Sequence, residues 1–199
     1  MIMKFIGVYD YTVILTYMSL ISAVCGMVFA SQDSFTAAII CLLLSGICDA
    51  FDGTVARTKK DRTEDEKGFG IQLDSLCDVV SFVVFPAFLC YRMGADTVVG
   101  IICCCLYCVC AVARLAFFNV LETKRQQTED GTNKYFRGMP VTSISIIFPL
   151  VYLLRGLFRP HVFGWLLCVM LVATAFLFVW DVKIKKFDVS HAFRRKAHR

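Results

Sequence analysis

Between positions 49 and 78 an otherwise apolar chain reads DAFDGTVARTKKDRTEDEKGFGIQLDSLCD, placing Asp49 and Asp52 at the end of one hydrophobic run and Asp74 and Asp78 at the start of the next. Carboxylates are costly at the margin of a membrane-length helix, so such residues mark a functional site by default. At about 100° per residue Asp49, Asp52, Gly53 and Ala56 fall within one arc of about 100°, and Asp74 and Asp78 stack one turn apart. Two antiparallel helices joined by the charged loop would bring both faces together. Four carboxylates meeting there repel one another unless cations neutralise them, and two divalent ions cancel four charges. An oxygen-only donor set, with no paired Cys or His, selects hard ions, Mg²⁺ or Mn²⁺ rather than Zn²⁺. Gly53, Ala56 and Gly70 leave room for a ligand against the helix backbones, and Arg57, read as the last residue of its helix, can grip a phosphate through two hydrogen bonds. Together these are the parts of a phosphoryl-type transfer site. Surface aspartates paired with Lys59, Lys60 or Arg62 would explain the spacing poorly. Asp61, Glu64, Asp65 and Glu66 are read as a solvated loop.

The elements that must carry this cluster are membrane helices. Apolar residues make up 58% of the 199 and aromatics 14%, and the mean hydropathy is +0.66. These values do not suit a water-facing surface. Runs long enough to cross ~30 Å of hydrocarbon lie near 12–30, 35–57, 70–91, 97–121, 139–157 and 162–181. The expectation is therefore an all-α, polytopic protein of six transmembrane helices. The first run, with no small-x-small cleavage site after it, is read as a retained span. Nothing divides the chain, so residues 1–199 are read as one membrane domain, with an N-terminal segment 1–11 and a basic tail 182–199.

Charge orients these spans. With the N-terminus inside, seventeen of the 21 Lys and Arg fall on the cytoplasmic side, three (Arg92, Arg155, Arg159) fall opposite, and Arg114 lies within the fourth span. Both termini and the two long loops are thus expected in the cytoplasm, at the cell membrane, with the aspartates facing the same side. The net charge of +5 becomes a juxtamembrane collar attracted to anionic lipid, and nothing supports a nucleic-acid partner. The eleven cysteines lie in or beside apolar runs without metal-ligand spacing and are read as small packing residues. His161, His191 and His198 read as interfacial residues.

At its aspartates the chain resembles the CDP-alcohol phosphotransferases, whose signature D-x2-D-G-x2-A-R followed by G-x3-D-x3-D is filled by Asp49, Asp52, Gly53, Ala56, Arg57, Gly70, Asp74 and Asp78. The resemblance covers essentially the whole membrane domain. One departure is the twelve-residue gap between Arg57 and Gly70, longer than the eight or so usual in that family, which reads as a longer cytoplasmic loop. The resemblance implies that Asp49, Asp52, Asp74 and Asp78 bind two divalent ions, Mg²⁺ or Mn²⁺, with Asp78 as general base. It also implies that Asp52, Gly53, Ala56, Arg57 and Gly70 hold the CDP-lipid, Arg57 at the phosphates, and that the protein is a homodimer among membrane lipids.

The acceptor must be read elsewhere. ARLAFFNV, with Arg114 and Asn119, and FRGMPVT from Phe136 resemble the serine-accepting branch of that family. This implies CDP-diacylglycerol and L-serine as substrates and CMP as a product. Serine brings a carboxylate that needs a cationic partner, and Arg114, Lys124, Arg125, Lys134 and Arg137 lie near that end of the fourth and fifth spans. Glycerol 3-phosphate or an inositol derivative would attract the same charges and remains an alternative acceptor. A divalent-cation or proton-coupled transporter would place its carboxylates near the midplane on broken helices, unlike this arrangement. The H-x-K-x4-D motif of phospholipase-D-type transferases does not occur.

Overall fold

A computed structural model describes residues 7, 9–56, 58, 59, 61, 63–127, 135–137, 139–180 and 183–185. Among these, five helical stretches are long and apolar enough to cross a membrane: Tyr11–Ser31, Phe35–Ala56, Asp65–Arg92, Val98–Leu121 and Pro160–Val179. They realise five of the six expected spans within a few residues, save that the third begins earlier. The remaining expected span, 139–157, is the shorter apolar helix Val141–Leu157. It consists of α6 (Ile144–Leu153) with 3-10 turns on both sides. Because a 3-10 turn rises ~2.0 Å per residue against 1.5 Å in an α-helix, the segment still reaches about 29 Å. Large apolar side chains point outward from every stretch, including Ile21, Ile47, Val109, Leu150 and Phe176. In water that surface would be an uninterrupted hydrophobic patch, whereas hydrocarbon solvates it. The chain is a multi-pass membrane protein.

The first two helices, α1 (Ile14–Ser31) and α2 (Phe35–Ala56), pack along a stripe of small residues. Ser19, Ala23, Gly26 and Ala30 are buried on α1, letting the backbones approach closely. Hydroxyls lock the register: Ser45 Oγ donates to the Ser19 carbonyl at 2.8 Å and Ser19 Oγ to the Ser45 carbonyl at 3.2 Å. A Cβ on Gly26 would lie 2.3 Å from the Phe85 ring, so glycine is what admits that ring. At the far end Arg92 reaches the Ala30 and Ser31 carbonyls and pairs with Asp33 at 2.9 Å, capping α1.

The third stretch is three helices in one. The segment α3 (Glu64–Asp78) passes into a π-helical segment, Val79–Val84, and then into α4 (Phe85–Arg92). Glu64, Asp65 and Glu66, expected in a solvated loop, form the first turn of α3 instead. Thr63 and Glu66 make a reciprocal capping box, at 3.2 and 3.1 Å, that starts the helix there. Half of the twelve-residue gap before Gly70 is thus helix, and Asp74 and Asp78 sit toward the end of α3 rather than at its start. The π segment coincides with Pro86 on the first turn of α4. Proline has no N–H, so the Phe82 carbonyl four residues earlier loses its α-helical donor. Buried Tyr107 donates its hydroxyl to that carbonyl at 2.6 Å.

The fourth stretch, α5 (Val98–Gln127), packs on α7 (Pro160–Val179) and the third stretch, around Phe82, Phe85, Tyr107, Phe163, Leu167 and Phe178. All eleven cysteines are free, and Cys41, Cys77, Cys90 and Cys168 are buried packing residues. Gly94, at φ +117°, turns the chain between α4 and α5 against α7. A Cβ on Gly164 would come within 2.3 Å of the Gly94 carbonyl oxygen. Backbone cannot yield as a side chain does, so Gly164→Val is expected to destabilise by about 1–3 kcal/mol or more. A lowered thermal midpoint in detergent checks this; an unchanged one contradicts the contact.

Outside the helices, β1 (Tyr135–Arg137) and β2 (Lys183–Lys185) pair antiparallel, with Phe136 opposite Ile184. The loop before α6 and the tail after α7 therefore meet. Lys59 similarly ties the N-terminal segment to α3, bridging Asp10 at 2.8 Å and Glu66 at 3.1 Å. The Lys59 ammonium, helped by Thr12, holds the Asp10 carboxyl down to about 2. The stabilisation from this shift is present above the usual carboxylate range and is lost as pH falls through about 2, so the tie persists at neutral pH. Lys59, one of the three basic residues that the sequence offered as partners for the aspartate cluster, is thus engaged elsewhere, and Lys60 and Arg62 lie outside the described residues.

Candidate active site

A cavity of about 540 Å³ opens among α1, α2, α3, α5 and the turn before α6. Asp49, Asp52, Gly53 and Ala56 line it from α2, and Gly70, Asp74 and Asp78 from α3. The arc expected on each helix therefore faces the other. Asp49, Asp74 and Asp78 each offer a carboxylate oxygen, and these atoms lie within 4.8 Å of one another. Asp78 is buried, at 8% exposure. Asp52 stands beside this triad in side-chain contact with Asp74, and its Oδ2 accepts a hydrogen bond from Thr16 Oγ1 at 3.0 Å.

Three acidic groups this close and this poorly solvated repel strongly, and a divalent ion among them removes the repulsion. The donor set is all oxygen, as Mg²⁺ or Mn²⁺ requires. The cluster can therefore hold a metal ion.

A further helix carries the second group of expected residues. Arg114 and Asn119 line the same cavity from α5. Arg114 is 9% exposed, and its guanidinium lies over the Phe118 ring at 5.4 Å. Ser75 Oγ donates to Asn119 Oδ1 at 2.7 Å, joining α5 to the helix that bears Asp74 and Asp78. Arg57 and Lys134 lie outside the described residues, as do the side chains of Lys124, Arg125 and Arg137. Several lining residues had not been singled out from sequence: Thr12, Thr16, Lys67, Ser75 and Thr142. Lys67 is one of the seventeen cations that charge places on the cytoplasmic side, and it precedes Gly70, Asp74 and Asp78 by three, seven and eleven residues on one helical face. That periodicity was the available signal. Thr16 and Thr142 carried none, since a lone threonine in an apolar run is ordinary.

A model of CDP-alcohol phosphatidyltransferases matches residues 11–180, which include every described wall of this cavity. The chain belongs to the CDP-alcohol phosphatidyltransferase family. Among relatives of this family member, a CDP-diacylglycerol–serine O-phosphatidyltransferase of Mycobacterium leprae is 33% identical over 175 residues, covering 86% of this chain and 57% of that protein. The archaetidylserine synthase of Methanothermobacter thermautotrophicus is 34% identical over 141 residues, covering 70% of this chain and 56% of that one. A CDP-diacylglycerol–serine O-phosphatidyltransferase of Saccharomyces cerevisiae is 34% identical over 116 residues, covering 57% and 41% respectively. The chain thus spans roughly half the length of these curated relatives. No solved structure gives a significant match. In this member of the CDP-alcohol phosphatidyltransferase family, the cavity is walled by the aspartates and small residues of α2 and α3 together with Arg114 and Asn119 of α5.

Proposed function

We propose that this protein transfers a phosphatidyl group from CDP-diacylglycerol to the hydroxyl of L-serine, forming phosphatidylserine and releasing CMP. The observation that carries this reading is one cavity lined by the aspartate cluster together with Arg114 and Asn119. The relatives named above, whose names all specify a serine product or acceptor, support the same acceptor.

In this reading Asp49, Asp52, Asp74 and Asp78 hold two divalent ions, Mg²⁺ or Mn²⁺, which supply charge neutralisation at the phosphates when bound. Gly53, Ala56 and Gly70 lie against the cytidine nucleotide, and Arg57 grips the phosphates. Asp78 takes the proton of the serine hydroxyl. The hydroxyl oxygen forms a bond to the lipid-side phosphorus in line with the bond that breaks, and CMP departs with that bond's electrons. Arg114, with Asn119 and the basic residues Lys124, Arg125, Lys134 and Arg137, orients the serine carboxylate. The site would face the cytoplasm from the cell membrane, in a homodimer whose single membrane domain comprises residues 1–199. The lipid tails then remain in hydrocarbon while the nucleotide reaches water.

The test is CMP release by purified protein with CDP-diacylglycerol and equal concentrations of L-serine, glycerol 3-phosphate and inositol phosphate. Serine should be preferred, and ethanolamine, which lacks the carboxylate, should be a very poor acceptor. Arg114→Lys should raise the KM for serine about tenfold, because charge is retained while the planar two-point contact is lost. If a phosphorylated alcohol outruns serine, the acceptor is wrong and only a broader phosphatidyl transfer stands.

A further inference from the structure

We propose that Thr16, on α1, is a positioning residue of the metal site: its hydroxyl fixes the Asp52 carboxylate and keeps it beside the three-carboxylate cradle. This rests on reading the aspartates as a metal centre and not on which alcohol is accepted. The aspartates all lie on α2 and α3, so α1 would otherwise be mere packing.

Three observations separate Thr16 from a packing residue. It is buried, at 6% exposure, yet polar. A threonine inside a helix ordinarily returns its hydroxyl to a carbonyl three or four residues back, whereas Thr16 Oγ1 reaches across to Asp52 Oδ2 at 3.0 Å. Its height against α2 is set one turn away by the reciprocal bonds between Ser19 and Ser45, so the hydroxyl cannot drift along its partner. Asp49, Asp74 and Asp78 gather within 4.8 Å, and Asp52 stands beside them next to Asp74 with its Oδ2 held by the Thr16 hydroxyl. A donor on Oδ2 removes the free rotation that would let Asp52 swing away or crowd the cradle. Groups that orient ligands in this way commonly affect metal affinity by ~10–100-fold.

The experiment is a Mn²⁺ titration of the purified full chain in detergent, reading free Mn²⁺ by electron paramagnetic resonance, alongside metal-free thermal unfolding. Thr16→Val should weaken Mn²⁺ binding about tenfold, and Thr16→Ser, which keeps the hydroxyl, should stay within about twofold of the parent. In an Asp52→Ala background, which has no acceptor for that hydroxyl, Thr16→Val should add no further loss. Should Thr16→Val not be recovered folded, Thr16→Ala removes the same donor and is read identically. Unchanged Mn²⁺ affinity with only a lowered metal-free midpoint would show a structural role and overturn the proposal. So would a Thr16→Ser protein as weak as Thr16→Val, or a tenfold loss persisting in Asp52→Ala. Absence of any Mn²⁺ binding by the parent overturns the metal reading and this proposal with it. Absence of serine transfer with the Mn²⁺ pattern intact overturns only the proposed function.

Discussion

Asp78→Asn should lower turnover by about two powers of ten or more while leaving affinity for the CDP-lipid within a few-fold. Asp78 is the most buried of the four aspartates, and it lies at the end of α3, one turn beyond Asp74. Asparagine preserves its shape and one oxygen but cannot take a proton from an attacking hydroxyl. A loss confined to the chemical step therefore separates a base from a nucleotide contact. Because Asp78 also belongs to the carboxylate triad, metal content must be measured on the same sample. A mutant with its metal retained and normal turnover would remove Asp78 from the role of base.

Chelation should have the largest effect of all. Protein stripped with EDTA is expected to release no CMP above background, and added Mg²⁺ or Mn²⁺ should restore the reaction. A second readout does not depend on turnover. An ion that binds only the folded state at a hundred times its Kd stabilises by about 2.7 kcal/mol, so the metal-free protein should unfold at a clearly higher temperature once Mn²⁺ is added. The physical basis is the crowding of Asp49, Asp74 and Asp78, which burdens the folded state until a cation relieves it. Full turnover by the stripped protein would sink the mechanism.

Much of this site was legible in the sequence because its signals are local. Asp49, Asp52, Gly53 and Ala56 share a helical face by spacing alone, and that face does line the cavity with Gly70, Asp74 and Asp78. The membrane helices were legible from hydropathy for the same reason. What hydropathy cannot reveal is a helix made of polar residues, so the start of α3 was missed. The Thr63 to Glu66 capping box was nevertheless present in the letters. The meeting of Arg114 and Asn119 with the aspartates is tertiary, and only the family resemblance linked them beforehand. Thr16 and Ser75 were illegible for a different reason: a hydroxyl acquires meaning only from the partner across the interface, Asp52 for one and Asn119 for the other. The ribbon of β1 and β2 was equally hidden, since three residues carry too little pattern to read as a strand.

The bond between Tyr107 and the Phe82 carbonyl constrains the order in which this protein can change over generations. A lineage that replaced Pro86 first would regain a backbone donor for Phe82 and could then lose the phenol cheaply. One that lost the phenol first would strip the buried Phe82 carbonyl of that bond while the residue four positions on still lacks an N–H, at a cost of about 1–3 kcal/mol. The same two substitutions are therefore accessible along one route and obstructed along the other.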